Sequence, residues 1–183
     1  MRRVSVVGST GSGKTTFARE LASILGVPHV ELDALNWGPN WTMVDELLFR
    51  SRVAAATSPD AWVVDGNYGG RGARRIVWGR ADTVVWLDPP LPVILARLWR
   101  RSVGRIRSGY VLWGGNRETF RNTFLSRESL FVWALKTYRG RRRLYLRELA
   151  RPEHAHLQVH RFARPTDAER WLATQRRLGP PRI

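Results

Sequence analysis

The stretch Gly8-Ser9-Thr10-Gly11-Ser12-Gly13-Lys14-Thr15 is where this chain specifies chemistry most directly. It satisfies the eight-position pattern G-x-x-x-x-G-K-S/T. Glycines at these positions let backbone amides turn inward and cradle phosphate oxygens, and a helix starting at the lysine adds its positive N-terminal dipole. Lys14 can reach the outer phosphates of a nucleoside triphosphate, the Thr15 hydroxyl can ligate Mg²⁺, and Thr16 carries the loop into the helix. Both flanks fit. The apolar run Val4-Ser5-Val6-Val7 precedes the loop, and Phe17, Leu21, Ile24 and Leu25 follow on one helical stripe that stops at Gly26. A Gly/Ser-rich turn that only resembles the motif needs neither flank, so triphosphate binding is the expectation.

Two carboxylates sit where strands of the same fold should end. His29 to Leu32 reads as a second strand ending at Asp33, and Trp62-Val63-Val64 as a third ending at Asp65-Gly66. Ligands of open α/β sheets bind at the carboxyl ends of strands. Asp65 has the position of a Walker B-type acid that holds Mg²⁺ through water, or is a turn residue before Gly66. Asp33 is either an acceptor-site carboxylate or a helix cap or salt-bridge partner. Trp37 and Trp41 after it either wall a pocket or belong to the core.

The elements that must position these groups alternate between strand and helix, which argues for βα units on a mostly parallel sheet. A helix is expected from about Val44 to Ala56, and a fourth strand over Thr83–Leu87 ending at Asp88, read as a turn residue. A helix from Leu91 to Val103 should bury Ile94, Leu95, Leu98 and Trp99. Gly104 to Asn116 reads as a mobile loop, and 117 to about 149 as largely helical with a break near Arg139-Gly140. A fifth strand spans Leu157–Phe162, and Thr166 with Glu169 reads as the capping box of a last helix. The expected architecture is one α/β domain over 1–183, with a lid at about 104–116 and an acceptor-side insert at about 33–60.

The chain is short and lacks the N-K-x-D guanine signature, which favours a small kinase over a motor or switch GTPase. At this point the sequence resembles the nucleoside-monophosphate-kinase-like P-loop family, which includes shikimate and gluconate kinases. More closely it is similar to the adenylate-kinase-related topology modulation (FlaR-like) proteins. The resemblance rests on the phosphate loop and, in order, on Leu32-Asp33-Ala34-Leu35-Asn36-Trp37, Val64-Asp65-Gly66-Asn67-Tyr68, residues 81–88, and Gly115-Asn116-Arg117-Glu118-Thr119-Phe120. It implies a three-layer fold with a five-stranded parallel sheet in the order 2-3-1-4-5, and ATP and Mg²⁺ as cofactors.

The resemblance also implies roles. Asp33 would orient an acceptor hydroxyl or take its proton as it attacks the γ-phosphate. Arg97, Arg101 and Arg105, spaced by four on the helix into the lid, would clamp phosphates, Arg101 and Arg105 as catalytic groups. Arg117 and Arg121 repeat the spacing beyond the lid, although all five also fit a solvated helix face. Arg164, after the fifth strand, would pack the adenine ring. Typical adenylate kinases carry D-G-F-P-R where this chain has Asp65-Gly66-Asn67-Tyr68, so the monophosphate site departs from theirs. Here Gly66 would let an acceptor approach the backbone, Asn67 and Tyr68 would hydrogen-bond it, and Arg71, Arg74 or Arg75 would meet an anionic group.

Charge leaves a second reading open. The 183 residues carry 31 basic and 15 acidic side chains, a net +16. Residues 1–96 hold 10 basic and 9 acidic residues, whereas 97–183 hold 21 and 6. Residues 97–151, including Arg141-Arg142-Arg143, interleave such cations with Trp99, Tyr110, Trp113, Trp133 and Tyr138, a composition suited to nucleic acid. A nucleic-acid-associated ATPase or polynucleotide-end kinase is therefore the alternative, and contact with an anionic membrane or a partner is a third. Against the second reading, the aromatics at 131–138 lie in an apolar helical run that reads as core. Zero cysteines exclude disulfide scaffolds and thiolate metal sites. No apolar run approaches the roughly 20 residues of a membrane span, and Met1-Arg2-Arg3-Val4 shows no signal segment, so the cytoplasm is the expected location.

Overall fold

The computed structural model describes residues 1–120, 123 and 129–179. Five parallel strands form one sheet: β1 (Arg3–Gly8), β2 (His29–Glu31), β3 (Trp62–Asp65), β4 (Thr83–Leu87) and β5 (Gln158–Phe162). Their order is β2-β3-β1-β4-β5, as expected. Helices α1 (Lys14–Leu25), α2 (Leu32–Asn36), α3 (Glu46–Ala56), α4 (Ala73–Arg80), α5 (Leu91–Ser108), α6 (Leu130–Leu149) and α7 (Pro165–Leu178) complete the fold.

Period-two alternation divides the strand side chains between two cores. Val4 and Val6 of β1, Val63 of β3, and Val85 and Leu87 of β4 pack with Phe17, Leu21 and Leu172 beneath α1 and α7. Val7, Trp62, Val64, Val84 and Trp86 face the other way, toward Phe49, Val53, Trp78 and Tyr145 of α3, α4 and α6. Both faces are covered, which is why these strands read as continuous apolar runs. The sense of the crossover connections, not the strand direction, reverses at β1, whose parallel neighbours are β3 and β4. The crevice at the carboxyl ends of β1 and β3 is therefore the switch point where such sheets take ligands.

Several local expectations are corrected. The second strand stops at Glu31, and Asp33 lies in the first turn of α2 instead of closing the strand. Helix α5 runs through Gly104 to Ser108 and is capped by Gly109, so 104–108 is not loop. Its Arg105 and Arg107 lie in the last turn, where cations suit the dipole. Helix α6 passes through Gly140 unbroken. The last helix begins with Pro165 after Arg164, which places Thr166 inside it and leaves no capping box. Trp99 and Trp133 are 54% and 50% exposed, so neither is core. Asp88 is a buried acceptor for Arg142 (3.1 Å) and for Arg161 (3.0 and 2.5 Å), more than a turn residue. Among the described residues no helix is long and apolar enough to cross a membrane.

Candidate active site

The phosphate loop joins β1 to α1. Gly8, Gly11 and Gly13 all have positive φ, a conformation that side chains resist, so the backbone can curl only because these positions are glycine. A Cβ at Gly11 would lie 2.6 Å from Leu98, so α5 packs directly against the loop. The Ser12 amide closes a turn onto the Ser9 carbonyl at 3.0 Å. The Ser12 hydroxyl is buried with no hydrogen-bond partner among the described residues. Thr15 is half-buried beside it, whereas Thr16 is exposed and turned toward Arg19 and Glu20 on the outer side of α1.

Lys14 is folded back over the loop, its Nζ donating to the Ser9 carbonyl at 3.1 Å. Burial lowers its pKa to about 8, against the attraction of Asp65 and Asp33; the Arg141 and Arg101 guanidiniums act with burial. One ammonium thus lies within electrostatic reach of two carboxylates and two guanidiniums drawn from four other elements.

Asp65, at the end of β3, is buried. Its Oδ2 has no hydrogen-bond partner, and His29 Nε2 lies 3.7 Å away. A buried carboxylate oxygen left open beside a phosphate loop fits a hydrated Mg²⁺, and with the Thr15 hydroxyl it supplies the hard oxygen donors that ion prefers. Asp33 accepts a hydrogen bond from the Tyr68 hydroxyl. Burial pushes the Asp33 pKa up, while the Tyr68 hydrogen bond and Lys14 hold it down. Burial and the adjacent carboxylate push the Tyr68 phenol well above its ordinary value.

The expected site residues fall into three groups. Arg97 and Arg101 of α5 are at the loop: Arg97 donates to the Ser12 carbonyl at 2.7 Å. Arg101 is desolvated, with its Nε buried and unpartnered. Gly66 and Trp37 lie by Asp33. A Cβ on Gly66 would meet Leu32 at 2.7 Å, and Trp37 caps α2 with its amide on the Asp33 carbonyl at 3.0 Å.

A second group has its hydrogen bonds or charge engaged within the protein. Asn67 donates to the Gly8 carbonyl (2.6 Å) and accepts from the Gly8 amide (3.3 Å) and the Tyr145 hydroxyl (2.6 Å), so it ties the loop to β3. Arg105 pairs with Glu118 at 2.7 Å. Arg74 lies over the Trp78 and Tyr145 rings, 3.7 Å from Glu148. A third group is exposed or undescribed. Arg117 and Arg164 are exposed, and Arg121 lies outside the described residues.

Sequence reasoning missed Arg141, Tyr145 and Glu118. The sequence groups Arg141 with Arg142 and Arg143 in a basic stretch suited to nucleic acid, yet burial lowers its pKa and it bears on Lys14. Helical spacing separates the run: Arg141 lies one turn before buried Tyr145, whereas Arg142 reaches Asp88.

A phosphate loop after the central strand, an acid at the end of the adjacent strand and arginines from the helix after β4 define the fold class of the P-loop kinases. The described chain is similar to a shikimate kinase from Acinetobacter baumannii solved in complex with shikimate: TM-score 0.60, 20% identity, 97% of this chain and 92% of that one. It is also similar to a shikimate kinase from Bacteroides thetaiotaomicron, with TM-score 0.54, 16% identity and 97% of each chain covered. A gluconokinase from Sinorhizobium meliloti matches with TM-score 0.51, 20% identity, 97% of this chain and 93% of the other. No family model matches the chain, and no curated protein matches it.

Proposed function

We propose that this protein is an ATP-dependent phosphotransferase that moves the γ-phosphate of ATP to a small acceptor through an acceptor hydroxyl. The observation that carries the reading is the convergence of Lys14, Asp33, Asp65, Arg101 and Arg141 around one phosphate loop. Asp33 accepts the hydroxyl proton as the acceptor oxygen bonds to the γ-phosphorus and the bridging bond to ADP breaks. Lys14, Arg97 and Arg101 balance the charge spread over the transferring group. Mg²⁺, held by Thr15 and Asp65, supplies further neutralisation of that charge when bound.

The acceptor we infer is itself anionic, a hydroxy acid or a sugar phosphate. Arg141 and Arg101 are both desolvated, and neither is in an ion pair among the described residues. The adenylate-kinase-like alternative, a nucleoside monophosphate, is supported less, because Asn67 is engaged with Gly8 and Tyr145. The ordered motifs from Leu32-Asp33 to Gly115-Asn116 support placing the chain nearest the topology modulation proteins within this fold. ADP release, assayed against hydroxy acids, neutral sugars, sugar phosphates and nucleoside monophosphates, decides the matter. Stimulation by an anionic hydroxyl compound is expected. Stimulation by neutral sugars alone would refute the anionic acceptor, and release unaffected by any acceptor would refute phosphotransfer.

One observation favours a second activity on a different surface. Lys136, Arg139, Arg143 and Arg147 lie on the exposed side of α6, and none is in an ion pair among the described residues. At 1.5 Å rise per residue they form a cationic row spaced by about 4–6 Å along the axis. Such a row suits the backbone of a single-stranded polynucleotide. If it engages four phosphates, log K should fall with log salt at a slope of about −3. Arg139→Glu with Arg143→Glu should abolish binding and leave small-acceptor turnover unchanged. Affinity indifferent to salt or to that pair of changes would remove nucleic acid from consideration.

A further inference from the structure

Residues 37–43 and 111–117 are two loops of the same shape. Each is a single 3₁₀ turn closed by an antiparallel bridge, Trp37 with Met43 and Val111 with Arg117. Gly38 N–H donates to the Thr42 carbonyl at 2.8 Å, and Leu112 N–H to the Asn116 carbonyl at 2.7 Å. In each loop a side chain donates back to the first residue of the turn: Thr42 Oγ1 to Pro39 O at 2.7 Å, Asn116 Nδ2 to Trp113 O at 2.6 Å. Left-handed residues also correspond, Asn40 and Trp41 in one loop, Gly114 and Gly115 in the other.

The twin loops meet. Asn116 Nδ2 donates to the Gly38 carbonyl at 2.8 Å, and its Oδ1 accepts the Trp41 amide at 2.8 Å. With the Trp113 carbonyl, every donor of this amide is used in a site only 5% exposed. Trp113 Nε1 adds a hydrogen bond to Glu31 Oε2 at 3.1 Å. At Gly114 the backbones nearly touch, since a Cβ there would lie 2.5 Å from the Gly38 carbonyl carbon. Loop 111–117 follows α5, which carries Arg97, Arg101 and Arg105; loop 37–43 follows α2, which carries Asp33.

We propose that Asn116 is a positioning residue that latches the arginine-bearing arm to the acceptor-side loop, assembling the roof of the acceptor site before substrates arrive. This rests on the phosphotransferase reading, because the latch matters to rate only if α5 arginines and Asp33 act on one phosphoryl group. An open latch lets α5 and α2 part, and ångström-scale misplacement of such groups costs orders of magnitude in rate.

Three single substitutions test it in the full chain. Asn116→Ala removes the amide. Gly114→Ala drives a methyl group into the Gly38 backbone, while Gly115→Ala imposes a like positive-φ strain (φ +78°) with nothing within 4 Å of the added carbon. In ligand-free protein the Trp41 amide should exchange its hydrogen at least about tenfold more slowly in wild type and Gly115→Ala than in the other two. Asn116→Ala and Gly114→Ala should lower kcat about tenfold or more with KM for ATP nearly unchanged, and Gly115→Ala should not. The proposal fails if wild-type Trp41 exchanges as fast as in Asn116→Ala, if Gly114→Ala and Gly115→Ala behave alike, or if kcat ignores the latch. Exchange is read without turnover, so a chain that protects Trp41 yet transfers no phosphate counts against the phosphotransferase reading alone.

Discussion

Lys14→Ala abolishes ATP-dependent turnover, lowering kcat/KM by about 10³-fold or more, with the fold intact by circular dichroism. The magnitude follows from where the ammonium sits. It is half-buried over the loop, bonded to the Ser9 carbonyl, within electrostatic reach of Asp65, Asp33, Arg141 and Arg101. Removing one preorganised donor to developing charge in such a site costs about 10²–10³-fold, and here the binding of the outer phosphates is lost as well.

The same lysine sets a pH dependence whose sign can be worked out. Its pKa in the free protein is about 8, below the usual 10.5, because burial disfavours the charged form. Bound phosphates favour that form and raise the pKa, so binding above pH 8 must take up a proton. ATP affinity is therefore flat below pH 8 and weakens by about tenfold per pH unit above it. Calorimetry in buffers of different ionisation heat reads the proton directly. The dependence should vanish in Lys14→Ala. A wild-type affinity unchanged from pH 7 to 9.5 would show that Lys14 does not pair with phosphate.

The phosphate loop, the central strands and the strand-end acid Asp65 were legible because each rests on a local pattern, whereas the sheet order came only with the family resemblance and Asp33 proved to lie one turn into α2. Strands covered on both faces must be apolar throughout, and Val6, Val64 and Val85 announce this without reference to the rest of the chain. The parts that were not legible depend on distant packing. Helix α4 follows Gly69, Gly70 and Gly72 and is rich in arginine, so nothing in 73–80 signals a helix until Val77 and Trp78 bury beneath Tyr145. Gly104 reads as a loop signal, yet a Cβ added there would meet nothing within 4 Å and α5 passes through on the strength of its flanks. The assignment of Asn67 to the acceptor ignored a carbonyl and an amide 59 residues away, at Gly8, that only the folded chain brings to it. Part of the basic surplus also found local partners, since Arg142 and Arg161 converge on Asp88. The exposed row on α6 found none among the described residues.

The reading of Asp33 as the acceptor-side base makes the second large prediction. Asp33→Asn keeps the shape and the Tyr68 contact but removes the proton acceptor, so kcat should fall by about 10²–10⁴-fold. ATP affinity should stay within a few-fold, because Lys14, Arg97 and the loop amides hold the nucleotide independently of this carboxylate. The result separates two roles. Loss of ATP binding would make Asp33 a support for Lys14, whose ammonium it attracts. Loss of rate alone would make it the group that meets the acceptor. The pH profile tightens the distinction. Burial raises the Asp33 pKa and the Tyr68 hydrogen bond holds it down, so the wild-type rate must fall with decreasing pH as the carboxylate protonates. Tyr68→Phe removes the restraining hydrogen bond, and the acid limb of kcat should move to higher pH. A limb that stays in place in Tyr68→Phe would mean that the proton controlling the rate is not on Asp33. A limb that moves upward there and disappears in Asp33→Asn ties proton, carboxylate and phenol into one unit, which only a base in contact with the reacting hydroxyl requires.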